Sequence, residues 1–224
     1  MNKISRTLRL YIKTAQYPFT IGFGVFIMLG MAIAFIVVPD PVGSKEYLSM
    51  LGAIQMGHIG TVFVVVIAND KLQQNKFYSS CSCAKELFII SPVVVMTVLN
   101  LFYDIVIYVS AYINLGIAGL SDVLVFNSFS SAMLIIVGAC HGKQKLGILS
   151  VIPYCAFLAV PMIVNKSSLK DATLGISVGT AALIAAGWYI ATIIISIVLE
   201  RIWWKRGDKF VQPNKFVQSA IGGQ

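Results

Sequence analysis

Thr97, Asn100, Asp104 and Tyr108 follow one another through an apolar stretch at intervals of three, four and four, a spacing that sets all four on one face of a helix. Asp104 is the only carboxylate within the long apolar runs described below. An aspartate at the middle of a membrane costs about 2.5–3.5 kcal/mol to insert, so this stripe must point into a bundle, a cavity or a subunit interface. His58, within QMGHIG, is the one histidine in such a run and the candidate partner. These residues could line a translocation path or hold a gating hydrogen bond; the alternative is an interhelical contact that only packs. Acid–base work by the pair would require His58 and Asp104 within hydrogen-bond reach.

Other constellations are missing from the sequence. There is no H-E-x-x-H, no G-x-S-x-G and no clustered acid pair in the apolar runs, and the second histidine, His141, falls in a short polar break. Without G-x-x-x-x-G-K-[ST], the chain cannot hydrolyse ATP in the P-loop manner, and any ATP-driven work needs another polypeptide. No cofactor or metal is expected on this chain.

These groups sit in a chain of 224 residues that is 58% hydrophobic and 12% charged, with a mean hydropathy of +0.84, outside the range of ordinary soluble domains. Six apolar runs are long enough to cross a hydrocarbon core of about 30 Å: Tyr17–Val38, Tyr47–Ala68, Leu87–Ile113, Val123–Ala139, Leu146–Val164 and Leu174–Leu199. They are continuous rather than alternating, which predicts an all-α polytopic membrane protein and not a barrel. The first run is too long for a signal-peptide core, so it is expected to stay as a span.

Charge orients the bundle. With the amino terminus inside, fourteen of the seventeen basic residues fall on the inner side and only Lys45, Lys166 and Lys170 outside. Both termini are therefore expected in the cytoplasm, in a cell membrane and most simply a bacterial one. The net charge of +8 follows from insertion and from anionic lipid, with no nucleic acid required. On this topology Cys81, Cys83, Cys140 and Cys155 are cytoplasmic or intramembrane, and they read as small apolar fillers.

Residues 1–16 predict a basic helix lying in the headgroup plane, with Leu8, Tyr11, Ile12 and Ala15 on one face and Arg6, Arg9 and Lys13 turned elsewhere. A bare orientation signal would carry the same charges. In the last run, Gly175, Gly179, Ala182 and Ala186 make a small-residue stripe expected to pack against another span or a second copy. Pro153 and Pro161 are expected to kink the fifth run. The outer connections PDPVGSKE, 116–122 and NKSSLKDA are too short for an external domain. The inner ones are 69–86, CHGKQK and a tail over 200–224, and the whole chain reads as one transmembrane domain.

The loop 69–86 carries NKFYSSCSCAKEL. From Lys76 it predicts a helix with Phe77, Tyr78, Cys81 and Ala84 on one face and Ser79, Ser80 and Ser82 leaning to the other, suited to a groove on a soluble partner. The alternative is a linker lying on the headgroups.

This segment resembles the loop of ABC transporter permeases of the type-two exporter class, in which an aromatic or leucine pair, a serine, an apolar residue, a proline and a basic pair precede the third span. Phe77, Tyr78, Ser79, Lys85, Glu86 and Leu87 match by position; Cys81 stands where proline is common and Ala84 replaces the first basic residue. The layout is similar too, with a basic amphipathic start, six spans and a basic, aromatic exit, ERIWWKRGDKF. NKSSLKDA leaves no room for the re-entrant hairpin of larger exporters, so the resemblance is to compact permeases. It implies a coupling helix, with Lys76, Phe77, Tyr78, Ser79, Cys81, Lys85 and Glu86 contacting an ATP-binding subunit, two copies per complex, that holds ATP and Mg. It implies a second permease copy or a sister permease, and an amphipathic peptide or lipid-like substrate. The other readings are the membrane subunit of a vitamin-type importer and an integral membrane enzyme built on Asp104 and His58.

Overall fold

A computed structural model of the chain describes residues 3–15, 18–37, 40–42, 44–141, 143, 146–166 and 174–206. The tail beyond Arg206 and most of NKSSLKDA lie outside the described residues. The described elements are all helical: α1 Lys3–Ala15, α2 Pro18–Val37, α3 Lys45–Gln55, α4 Gly57–Gln74, α5 Lys76–Ser80, α6 Ala84–Cys140, α7 Leu146–Leu149, α8 Val151–Lys166 and α9 Val178–Arg206. Among the described residues, three stretches are long and apolar enough to cross a membrane, Ser49–Gln74, Ala84–Cys140 and Val178–Lys205, and Ile21–Val37 is a shorter apolar helix. Large aliphatic and aromatic side chains such as Phe26 and Leu183 stand about three-quarters exposed on the outside, as lipid-facing groups do.

The 57 residues of α6 do not form one rod. Gly116 has φ +67° and ψ −162°, a conformation open to glycine and costly for other residues. The chain turns back there. Asp104 and Asn127, 23 residues apart in sequence and nearly equidistant from Gly116, are hydrogen-bonded to each other; a straight helix would hold them roughly 35 Å apart. α6 is thus a hairpin of two limbs, 84–115 and 117–140, corresponding to the third and fourth apolar runs. The expected 116–122 connection is mostly helix, and the turn is confined to the glycine.

The second apolar run is also interrupted. The Tyr103 hydroxyl donates to the Ile54 carbonyl at 2.7 Å, and a side chain at Gly57 would collide with the Tyr103 ring. Beside this contact the helix tightens, with the Met56 amide donating to the Ala53 carbonyl (3.0 Å) and the Ile59 amide to the Met56 carbonyl (3.1 Å), and this turn separates α3 from α4. The fifth run is divided at Ser150, so Pro153 falls in the first turn of α8, where its missing N–H costs no hydrogen bond, and the expected Pro153 kink becomes a helix restart.

α2 crosses α4 at two glycines. A Cβ on Gly24 would stand 2.6 Å from the Gly60 carbonyl oxygen, and the reverse substitution is equally blocked. Glycine at both positions is what brings these backbones into contact.

The core has two main apolar clusters. One lies at the end of the bundle shared by α1 and α5, called the near end here, and includes Tyr11, Leu72, Phe88, Met96 and Trp203. The other, towards the far end, includes Phe35, Tyr47, Met50, Ile54, Tyr103 and Ile107.

α9 packs into the bundle through a face other than its small-residue stripe. Its buried face is Ala181, Ala185, Tyr189, Thr192, Ser196, Glu200 and Trp203. Gly179, Ala182 and Ala186 face outward, and Gly175, with φ +62°, precedes the helix, so among the described residues the small-residue stripe meets no other span. Where the surroundings are apolar, polar residues go inward and aliphatic ones can face out.

Candidate functional site

Between the two apolar clusters lies a layer of buried polar side chains. On α4, His58 falls between Ile54 of the far cluster and Val65 of the near one; Asn100, Asp104, Asn127 and Tyr189 join it from both limbs of α6 and from α9. His58, Asn100 and Asp104 are fully buried and Asn127 is 2% exposed.

The contacts form a closed network. His58 Nδ1 is 2.6 Å from Asn100 Oδ1, and His58 Nε2 is 3.0 Å from Asn127 Oδ1 and 3.2 Å from Asp104 Oδ1. Asn127 Nδ2 donates to Asp104 Oδ1 at 2.6 Å, the Tyr189 hydroxyl donates to Asp104 Oδ2, and Ser131 Oγ lies 2.6 Å from the Tyr189 hydroxyl. The amide orientations follow from their other contacts, since Asn100 Nδ2 donates to the Met96 carbonyl at 2.9 Å and Asn127 Nδ2 is used on the carboxylate. Both ring nitrogens of His58 therefore face acceptors, the pattern an imidazolium makes, and Asp104 is its counter-charge. Thr61 Oγ1, within reach of Asn100 Oδ1 and the His58 carbonyl, closes one side, and the Tyr103 ring packs edge-on to the imidazole at a centroid distance of 4.8 Å.

Of the sequence candidates, His58, Asn100 and Asp104 come together here. Thr97 does not; its hydroxyl donates to Val93 of its own helix at 2.8 Å. Tyr108 is half-buried at the margin, its buried hydroxyl directed toward Asp104 without a hydrogen bond of good geometry. Asn127, Tyr189 and Ser131 belong to the network and were not singled out from sequence. Asn127 carried a usable signal, an amide within an apolar run.

A second buried pair seals the near end. The Lys143 ammonium donates to the carbonyls of Ala139 (2.8 Å) and Phe88 (3.1 Å) and to Glu200 Oε1, which uses all three of its protons, and the Trp203 ring lies 5.3 Å away. This clasp joins the two ends of the α6 hairpin to α9. Beside it, the Tyr11 hydroxyl donates to Asn69 Oδ1 at 2.8 Å, and Asn69 Nδ2 donates to the Gly138 carbonyl at 2.9 Å, docking α1 on α4 and α6. Burial first, then Glu200 and Asp70, hold the Tyr11 phenol well above its ordinary value, so it stays a donor. At the far end, Asp122 accepts from the Tyr47 hydroxyl (3.2 Å) and the Leu174 amide (3.0 Å).

α1 uses three faces in angular order. Thr7, Leu10, Tyr11 and Thr14 turn to the protein; Ile4, Leu8 and Ile12 follow on an outward apolar strip; Arg6, Arg9 and Lys13 are exposed beyond it. Tyr11 thus belongs to the docking face and not to the outward strip on which the spacing had placed it.

The predicted coupling segment is shorter than expected. α5 has only five residues, capped by Asn75, whose side chain accepts from the Phe77 amide at 3.0 Å, and it stops before Cys81, which is extended with ψ 152°. Phe77 and Tyr78 meet edge-on at a centroid distance of 5.8 Å but differ in burial: Tyr78 and Cys81 pack on the near cluster, whereas Phe77 is 68% exposed. Ser79 and Glu86 are half-buried and Lys85 is exposed; the Lys76 side chain lies outside the described residues. Cys81 and Cys83 are half-buried with their sulfurs 3.3 Å apart, and burial, followed by the Cys81 sulfur, pushes the Cys83 thiol up.

No family model, curated protein or solved structure matches this chain. Among the described residues, no group of three His, Cys, Asp or Glu side chains is placed to hold a metal ion.

Proposed function

We propose that this chain is the membrane-spanning permease subunit of an ATP-driven transporter of the ABC type. In this reading six helical passes cross the membrane, counting each limb of α6, with both ends in the cytoplasm. A second copy or a sister permease completes the pathway, and two ATP-binding subunits dock beneath α5. The observation that carries it is the difference between two adjacent rings: Tyr78 fastens α5 to the core, and Phe77, edge-on to the Tyr78 ring at a centroid distance of 5.8 Å, turns most of its surface outward. An exposed aromatic on a firmly held element is suited to anchor in a partner's pocket. Since α5 links α4 directly to α6, a push on it reaches the helices that carry His58 and Asn100, and so the polar layer. That layer is the element whose two arrangements would gate access. An amphipathic exported substrate agrees with the apolar surface of the helices.

The test is affinity purification of the chain from its native membrane, with a co-purifying ATPase as the readout. Co-purification is expected for the native chain and is lost with Phe77→Asp plus Lys85→Glu; full assembly in that double variant contradicts the reading.

A membrane enzyme is the second reading, favoured by the 3.2 Å contact of His58 and Asp104. Against it, both residues are fully buried under two apolar clusters, which leaves a substrate no approach in this arrangement. Turnover by the purified chain without any ATP-binding subunit, abolished by Asp104→Asn, would favour it over transport.

A further inference from the structure

A cleft of about 420 Å³ opens between α2 and α3 at the far end. Its chemistry is graded. Asp40 and Glu46 stand at the end where the two helices are joined, while Met31, Phe35, Met50 and Ile54 line the remainder, and among the described lining residues none is basic. Ile54 lies eight helical steps beyond Glu46, so the apolar part runs about 12 Å inward from the acids. The Asp40 amide donates to Met50 Sδ at 3.2 Å, which fixes the chain that carries one carboxylate against the apolar wall. Met31 and Met50 supply a soft surface that adapts to different aliphatic shapes.

We infer that this cleft binds a cationic amphiphile, an ammonium head held between Asp40 and Glu46 with an aliphatic tail of about 12 Å among Met31, Phe35, Met50 and Ile54. Charge selects the occupant: an anionic head would meet two carboxylates, whereas a cation is drawn to both beside a low-dielectric wall. The volume lies within the roughly 300–1,000 Å³ usual for small-molecule sites. Two sources share this chemistry, a soluble ammonium-bearing solute and the amine headgroup of a membrane lipid. As a station for an exported molecule, the cleft rests on the permease reading; as a binding site, it does not.

The experiment uses the full chain in dodecyl maltoside micelles, which carry no ammonium group, and radiolabelled decyltrimethylammonium at 0.15 M salt. Saturable binding is expected, undisturbed by decyl sulfate. Asp40→Asn plus Glu46→Gln weakens it at least ~10-fold, the scale of about 1.4 kcal/mol. Ala53→Trp fills the cleft, leaves both acids in place and abolishes binding. Retained folding in each variant is checked by monodisperse elution. Unchanged affinity in the double acid variant, or equal displacement by decyl sulfate, overturns the proposal. Repeating the titration with phosphatidylethanolamine added to the micelles separates the sources: competition by this lipid assigns the site to a headgroup amine, and undiminished probe binding assigns it to a soluble cation. Because the isolated chain is used, this result is independent of whether an ATP-binding subunit co-purifies.

Discussion

His58 Nε2 on α4 and Asp104 Oδ1 on the first limb of α6 lie 3.2 Å apart, both fully buried, with Asn127 from the second limb bonded to each. Removing one member of such a pair leaves an uncompensated charge in a medium that cannot solvate it, at about 3–5 kcal/mol. Asp104→Ala and His58→Ala should each lower the thermal unfolding temperature in detergent, and the double variant should lose much less than the sum. Additive losses would show that the two residues do not interact as an ion pair.

The Lys143 clasp makes a different prediction. Two of the three ammonium partners are carbonyls, from Phe88 and Ala139, and only the third is the Glu200 carboxylate. Lys143→Glu and Glu200→Lys should each destabilise by about 3–5 kcal/mol. Exchanging the charges should not restore stability, because a carboxylate at 143 would face two carbonyl oxygens. Rescue by the exchange, measured by thermal unfolding, would refute this account of the clasp.

The crossing of α2 and α4 can be tested with a built-in control. Gly60→Leu should separate the helices and cost several kcal/mol, since the substituent must enter the Gly24 backbone. Gly30→Leu, with nothing within 4 Å of its added Cβ, should be nearly silent. Equal effects in unfolding measurements would remove the close crossing.

Much of the helical plan was legible in hydropathy, because apolar runs of this length have few other solutions. Their interruptions were not. The Tyr103 hydroxyl beside the turn between α3 and α4 comes from a different helix, and the Gly116 turn is invisible to a scale that averages over many residues. The stripe through Asn100 and Asp104 was readable from spacing alone, but Asn127 and Tyr189 meet it only through tertiary packing. On α9 the small-residue spacing was legible, but spacing identifies a face without saying what lies opposite, and among the described residues that face is exposed, which leaves a second copy as the expected neighbour. Lys143 passed as an orientation charge because nothing local marks it for burial.

Thiol chemistry tests the orientation. In sealed vesicles with the cytoplasmic side enclosed, a membrane-impermeant maleimide should leave Cys81 and Cys83 unlabelled until the vesicles are opened. Labelling of Cys83 should then be slow near neutral pH and accelerate as pH rises, because its thiol is held above the usual range and the thiolate is the reactive form. Cys140, fully buried, should react only on unfolding. Labelling of the Cys81–Cys83 pair in sealed vesicles would place α5 on the opposite side.

The central claim is that α5 is where a separate ATP-driven subunit grips this bundle. The most direct measurement places a photo-crosslinking residue at Phe77, with a control at Ile117, equally exposed but beside the Gly116 turn at the far end. Illumination of the assembled complex should yield a covalent adduct with the ATP-binding subunit from position 77 and none from 117, in a yield that changes when ATP is added. An assembled complex that gives no adduct from 77 would contradict the account.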